Sequence, residues 1–186
     1  MRGEDVRNAL RDALDVTTTR HTSGMFEYVY RLFEQATRSF DAKSYDAVCL
    51  LCRSTVEAGC YLFLTRKTER AGKLIGTISS PPRTLDGAVR RIPFEELQRG
   101  MKKRDVLSDE QLRSLDRIKK HGDLIAHIAE ISDRLVWRSL AENSNINPFE
   151  AVPPIGESEA SKDLEDTVSI IATLAKEAVK DVSGLS

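Results

Sequence analysis

The sequence predicts an all-α protein, a helical bundle of about five to seven helices in one domain. Apolar residues recur three and four positions apart through most of the chain, and no stretch alternates with a period of two. Pro and Gly are few, and 40% hydrophobic with 31% charged residues excludes a disordered or fibrous class. A chain of 186 residues is long enough to bury about two thirds of the surface its unfolded form exposes. No internal repeat and no second domain interrupt it.

Taken in order, residues 4 to 15 place Val6, Leu10, Ala13 and Leu14 on one stripe, which makes residues 1–23 an N-terminal helix and turn. Core helices occupy 24–141. The first, over 24 to 40, repeats the pattern with Phe26, Val29, Phe33, Ala36 and Phe40. From Ser44 to Lys67 there are two stripes, Val48, Leu51, Thr55, Ala58 and Leu62 on one side and Cys49, Cys52, Val56, Cys60 and Phe63 on another. A helix apolar on two sides sits at the centre of a bundle. Residues 68 to 93 carry Gly72, Gly76, Pro81-Pro82, Gly87 and Pro93 and read as short helical pieces joined by turns. Pro93 opens a short helix with Phe94, Leu97 and Met101, and Ser108-Asp-Glu-Gln111 fits a capping box for a helix continuing through Ala129. Residues 131 to 141 extend the helical pattern, 142–160 read as a long loop, and 161–182 form an amphipathic C-terminal helix on Leu164, Val168, Ile171, Ala175, Val179 and Val182.

Met1-Arg-Gly-Glu-Asp lacks an apolar signal core, and no stretch approaches the 18 or so uncharged apolar residues of a membrane span, so the expectation is a cytoplasmic protein that does not enter a membrane. Cys49, Cys52 and Cys60 lie at helical spacing in one apolar segment, as free core thiols do. Cys49-x-x-Cys52 is half of a zinc motif. A closed site needs four ligands, however, and no second Cys or His pair stands nearby in the sequence, so no metal and no other cofactor is expected. No Gly-rich phosphate loop or nucleophile elbow is present.

The net charge of -1 exerts no global pull on nucleic acid, but residues 90 to 120 hold ten Lys or Arg against six acids, while from Ala141 onward nine acids face three lysines. Either a solvated helix face or a polyanion site accounts for the basic run. Its end is the densest chemistry in the chain, Arg117-Ile-Lys-Lys-His-Gly-Asp-Leu-Ile-Ala-His127. Lys119, Lys120, His121, Asp123 and His127 fall within three helical turns, which implies that some face meets solvent, a partner or a ligand. Gly122 implies close packing or a kink. On the central helix, Arg53 and Glu57 are neighbours four apart, forming an internal ion pair or directing Arg53 into a pocket.

The segment carrying Tyr45, Ala47, Arg53 and Glu57, together with Arg117 to His127, resembles an uncharacterised bacterial branch of the HEPN superfamily, often encoded near restriction and defence functions. That branch pairs Tyr-x-Ala-x5-Arg-x3-Glu with a later Gly-Asn-x2-Ala-His. The resemblance implies a bundle that dimerises and, in active members, a metal-independent ribonuclease with an Arg, a polar residue and a His about six positions later. It puts His127 at the histidine and Lys120-His121 at the Arg and its neighbour. Here the arginine is replaced by lysine, and Asp123 stands in place of Asn.

Metal-free cleavage through the ribose hydroxyl needs a proton carrier and a cation for the phosphorane. His127 and Lys120 are the candidate catalytic residues, and they must open onto one solvent-filled hollow to act together. Lysine lacks the fork with which arginine grips two phosphate oxygens, and Asp123 repels a phosphate. His127 alternatively serves as a polar group at a bundle or dimer interface, bonded to Asp123, Arg53 or Glu57. His121 reads as a surface or interface residue. Arg53, Glu57, Arg117, Lys119, His121 and Asp123 are the candidate ligand-binding or interface residues. The leading expectation is a homodimeric module that binds RNA, nucleotide or a protein partner with a degenerate ribonuclease motif. The alternatives are an active ribonuclease using His127 and Lys120, and a purely structural or antitoxin-like dimerisation module.

Overall fold

A computed structural model describes residues 3–17, 23–65, 92–127 and 155–183. Among these residues the chain is entirely helical, with six helices and no strand: α1 (Gly3–Thr17), α2 (Ser23–Asp41), α3 (Tyr45–Thr65), α4 (Phe94–Arg104), α5 (Asp109–Ala126) and α6 (Glu157–Ser183). The short pieces expected over 68 to 91 and the helix expected over 131 to 141 lie outside the described residues.

The helix centred on the cysteines is central in space as well. α3 packs against α2, α4, α5 and α6, while α1 closes one side against α2 and α6. Its second stripe, Cys49, Cys52, Val56, Cys60 and Phe63, is buried throughout, and on the first stripe Leu51, Ala58 and Leu62 are only half-buried. All three cysteines are free and buried. Burial drives the thiols of Cys52 and Cys60 up, Cys60 to about 12, so these two behave as small apolar side chains. By length and composition Tyr45–Leu64 would cross a membrane, although half of that stretch is buried against the other helices and it carries Arg53 and Glu57.

Local chemistry fixes the ends of the helices near the motif. α2 stops in a Schellman turn, in which the Lys43 N–H donates to the Phe40 carbonyl and the Ser44 N–H to the Ser39 carbonyl. Lys43 takes the left-handed position there, at φ 57°. Three residues then separate α2 from α3, so the two run as an antiparallel hairpin. The capping box at α5 forms as expected: Ser108 Oγ accepts from the Gln111 amide at 3.2 Å and Gln111 Oε1 accepts from the Ser108 amide at 3.1 Å.

Two boundaries differ from the sequence reading. α5 ends at Ala126, with His127 as its C-cap, rather than continuing through Ala129. α6 begins at Glu157, inside the segment read as loop. Glu157 and Glu159 occupy its first turn, where carboxylates stabilise the positive end of the helix dipole, and the Ala160 amide donates to the Gly156 carbonyl at 3.2 Å.

Candidate functional site

The charged segment of α5 divides among three directions. Successive helical residues are 100° apart and residues four apart share a face, so Arg117 with His121, Lys119 with Asp123, and Asp116 with Lys120 define separate faces. Each meets a different environment.

The Lys119 and Asp123 face meets α3 and α4. Arg53 Nε donates to Asp123 Oδ1 at 2.7 Å and Arg53 Nη1 to Glu57 Oε2 at 3.1 Å. Lys119 Nζ lies 2.6 Å from Asp123 Oδ2 and 3.0 Å from Glu95 Oε1. Hydrogen bonding to Asp123, against burial and with help from Glu95, raises the Lys119 ammonium above its ordinary range. Burial works to raise Asp123, but Lys119 and Arg53 outweigh it and hold the carboxyl below its ordinary range. The Arg53 side chain is only 18% exposed and lies across Gly122, where even a methyl group would fall 2.3 Å from Arg53 Cδ. Gly122 is therefore a close-packing glycine. Both expectations for Arg53 meet here, since it is ion-paired to Glu57 and also reaches across to the motif helix.

The Arg117 and His121 face meets α6 and closes on Asp163, a fully buried carboxylate. Arg117 Nε donates to Asp163 Oδ1 at 3.1 Å and Arg117 Nη2 to Asp166 Oδ2 at 2.6 Å. His121 Nδ1 lies 2.8 Å from Asp163 Oδ2, and the Cys49 sulfur of α3 lies within 4.8 Å of both groups. Burial and Asp163 both push that thiol up. Burial works to lower Arg117, but Asp166 and Asp163 overcome it and raise the guanidinium. His121, read from sequence as a surface or interface residue, is thus part of an internal network. Asp163 was missed in the sequence, where its signal was an acid inside the apolar register of Ala160, Leu164, Thr167 and Ile171.

The third face meets solvent. The Lys120 side chain is 72% exposed and pairs with Asp116 at 2.7 Å. His127 is exposed at the end of the helix. Seven residues place the two about 10 Å apart along the axis, and the Asp116 contact draws the ammonium toward the helix N-terminus, away from the imidazole.

Between α4 and α5 runs a groove of about 520 Å³ lined by Glu95, Arg99, Lys102, Asp109, Leu112, Arg113 and Asp116 among others. Glu95 and Asp116 are already paired with Lys119 and Lys120. Among the described residues this leaves Arg99 and Lys102 on the α4 wall, with Arg113 beside Asp109 on the α5 wall, so the surplus of positive charge lies on the α4 side.

No family model, no curated protein and no solved structure matches the chain.

Proposed function

We propose that this chain is a HEPN-like, dimeric helical module that binds single-stranded RNA without cutting it, through the groove between α4 and α5. The observation that carries the reading is the assignment of cations. Arg53, Arg117 and Lys119 are engaged by carboxylates within the protomer, whereas Arg99, Lys102 and Arg113 stand exposed on the two walls of an open groove. The two resembling segments also lie side by side on α3 and α5, joined by Arg53 and Asp123. Asp123, standing where the resembling branch has Asn, thus makes an ion pair that ties the helices together. Association with defence functions comes with the HEPN resemblance alone.

The ribonuclease reading has one observation in its favour, the exposure of His127. The same samples test both readings. Fluorescence anisotropy with labelled single-stranded RNA is expected to show binding that weakens steeply with salt, with a shallower salt slope and weaker affinity in Arg99→Glu/Arg113→Glu. In EDTA the RNA is expected to stay intact. Cleavage lost in His127→Ala would establish the ribonuclease instead, and RNA retention unchanged by both salt and charge reversal would refute the groove. Light scattering is expected to give twice 20.8 kDa.

A further inference from the structure

We propose that Cys49, His121 and Asp163 form a three-ligand site for a divalent transition metal of the zinc type, at the junction of α3, α5 and α6. Three helices distant in sequence deliver one group each. The Cys49 sulfur, a ring nitrogen of His121 and a carboxylate oxygen of Asp163 lie within 4.8 Å of one another. Tetrahedral zinc with sulfur, nitrogen and oxygen ligands separates such atoms by about 3.3–3.6 Å, so side-chain torsions suffice to close on an ion without moving the helices. A thiolate, an imidazole and a carboxylate together suit zinc and exclude magnesium or calcium, which take oxygen ligands.

The surroundings favour an ion here. Arg117 Nε holds Asp163 Oδ1, which leaves Oδ2, the oxygen nearest His121, directed at the ring. That is the arrangement by which an outer partner orients a metal-binding carboxylate. Charge balances as well. With Cys49 as thiolate, the negative charges of Cys49, Asp163 and Asp166 cancel a divalent cation together with Arg117. His121 is partly exposed, which gives the ion a path inward and leaves a fourth position for water or an external ligand. The site lies on a different face of α5 from the RNA groove and does not depend on it.

The test is a Co(II) titration of the full-length, reduced, chelator-stripped protein, followed by Zn(II) displacement. The expected result is one equivalent of cobalt with thiolate-to-cobalt charge-transfer absorption, displaced by zinc, lost in Cys49→Ser, weakened at least tenfold in His121→Gln and retained in Cys52→Ser. Cys52 is the control because it is an equally buried thiol one turn along α3 that lies outside the cluster of Cys49, His121 and Asp163. X-ray absorption at the zinc edge of the loaded parent protein, which needs no variant to fold, is expected to show one sulfur among nitrogen and oxygen ligands. Absence of the charge-transfer band in the parent, its survival in Cys49→Ser, or a zinc shell without sulfur would overturn the proposal.

Discussion

Gly122→Ala measures how closely the motif helix approaches α3. In an open helix interior this change stabilises by about 1 kcal/mol. Here the new Cβ would lie 2.3, 2.6 and 2.9 Å from Arg53 Cδ, Cβ and Cγ, against an ordinary carbon contact of about 3.5–4.0 Å. Rotating Arg53 clears Cδ and Cγ and sacrifices its bonds to Asp123 and Glu57. It does not clear Cβ, which is fixed to the α3 backbone, so the two helices must also part by about 1 Å. Overpacking of this kind costs about 1–3 kcal/mol, and disturbing the part-buried pairs adds about 1–2 kcal/mol. After the propensity gain the net is a loss of about 2 kcal/mol, equivalent to a melting temperature lower by about 4–8 °C for a chain of this size. Gly59→Ala is the internal comparison. Its nearest obstruction is the terminal Cδ1 of Ile171 at 2.5 Å, with every other neighbour at 3.5 Å or beyond. A methyl at the end of a side chain can rotate aside, so that variant should stay within about 1 kcal/mol of the parent. Urea unfolding followed by circular dichroism reads both. A Gly122→Ala protein as stable as the parent would refute the account of the α3–α5 contact.

Other outcomes follow from the same contacts. Because Asp123 is held below its ordinary value of 3.8, the native state binds fewer protons there than the unfolded chain does. Its contribution is therefore present above that value and lost as pH falls through the lower native one. The stability difference between the parent and Asp123→Asn, about 1–2 kcal/mol near neutrality, should shrink as pH falls below the ordinary carboxyl range and vanish once the native carboxyl is protonated, and a difference independent of pH would contradict the pairing. Lys43→Gly should stabilise by about 0.5–1 kcal/mol in urea titrations, since glycine relieves a left-handed backbone already committed to a Schellman turn. A loss of stability would show that the Lys43 side chain contributes more than its backbone strain costs.

The helical framework was legible because periodicity reports burial directly. The stripe from Val6 to Leu14, the two-sided apolar face of α3 and the capping box at Ser108 each turned up where local spacing placed them. The Arg53–Glu57 pair was legible for the same reason, since four residues along a helix are one turn. Partners across the fold were not. Asp163 is 42 residues from His121, and nothing within either segment identifies the other. The meeting of Cys49, His121 and Asp163 was hidden for the same reason, because the three come from three different helices. The start of α6 was hidden by its own stabilising feature, as acids before an apolar run resemble a solvated loop until they are read as the first turn of a helix.

The density of charge between Arg117 and His127 has a structural consequence that a count of residues does not convey. Burying Arg117, His121, Lys119 and Asp123 between helices is costly for each group taken alone, and is tolerated because every one finds a counterpart of opposite character. Those counterparts lie on different helices, so the pairs act together only at one rotational setting of α5. Turning α5 by one residue, 100°, would carry His121 away from Asp163 and leave a fully buried carboxylate short of a donor. It would also replace Gly122 opposite Arg53 with a side chain that does not fit. The ion pairs therefore fix the register of α5, and the register in turn decides which groups reach solvent: Lys120, His127 and the wall of the α4–α5 groove. The part of the motif that looks most chemical in the sequence holds the helix in place, and the part available to a ligand is what that placement leaves outside.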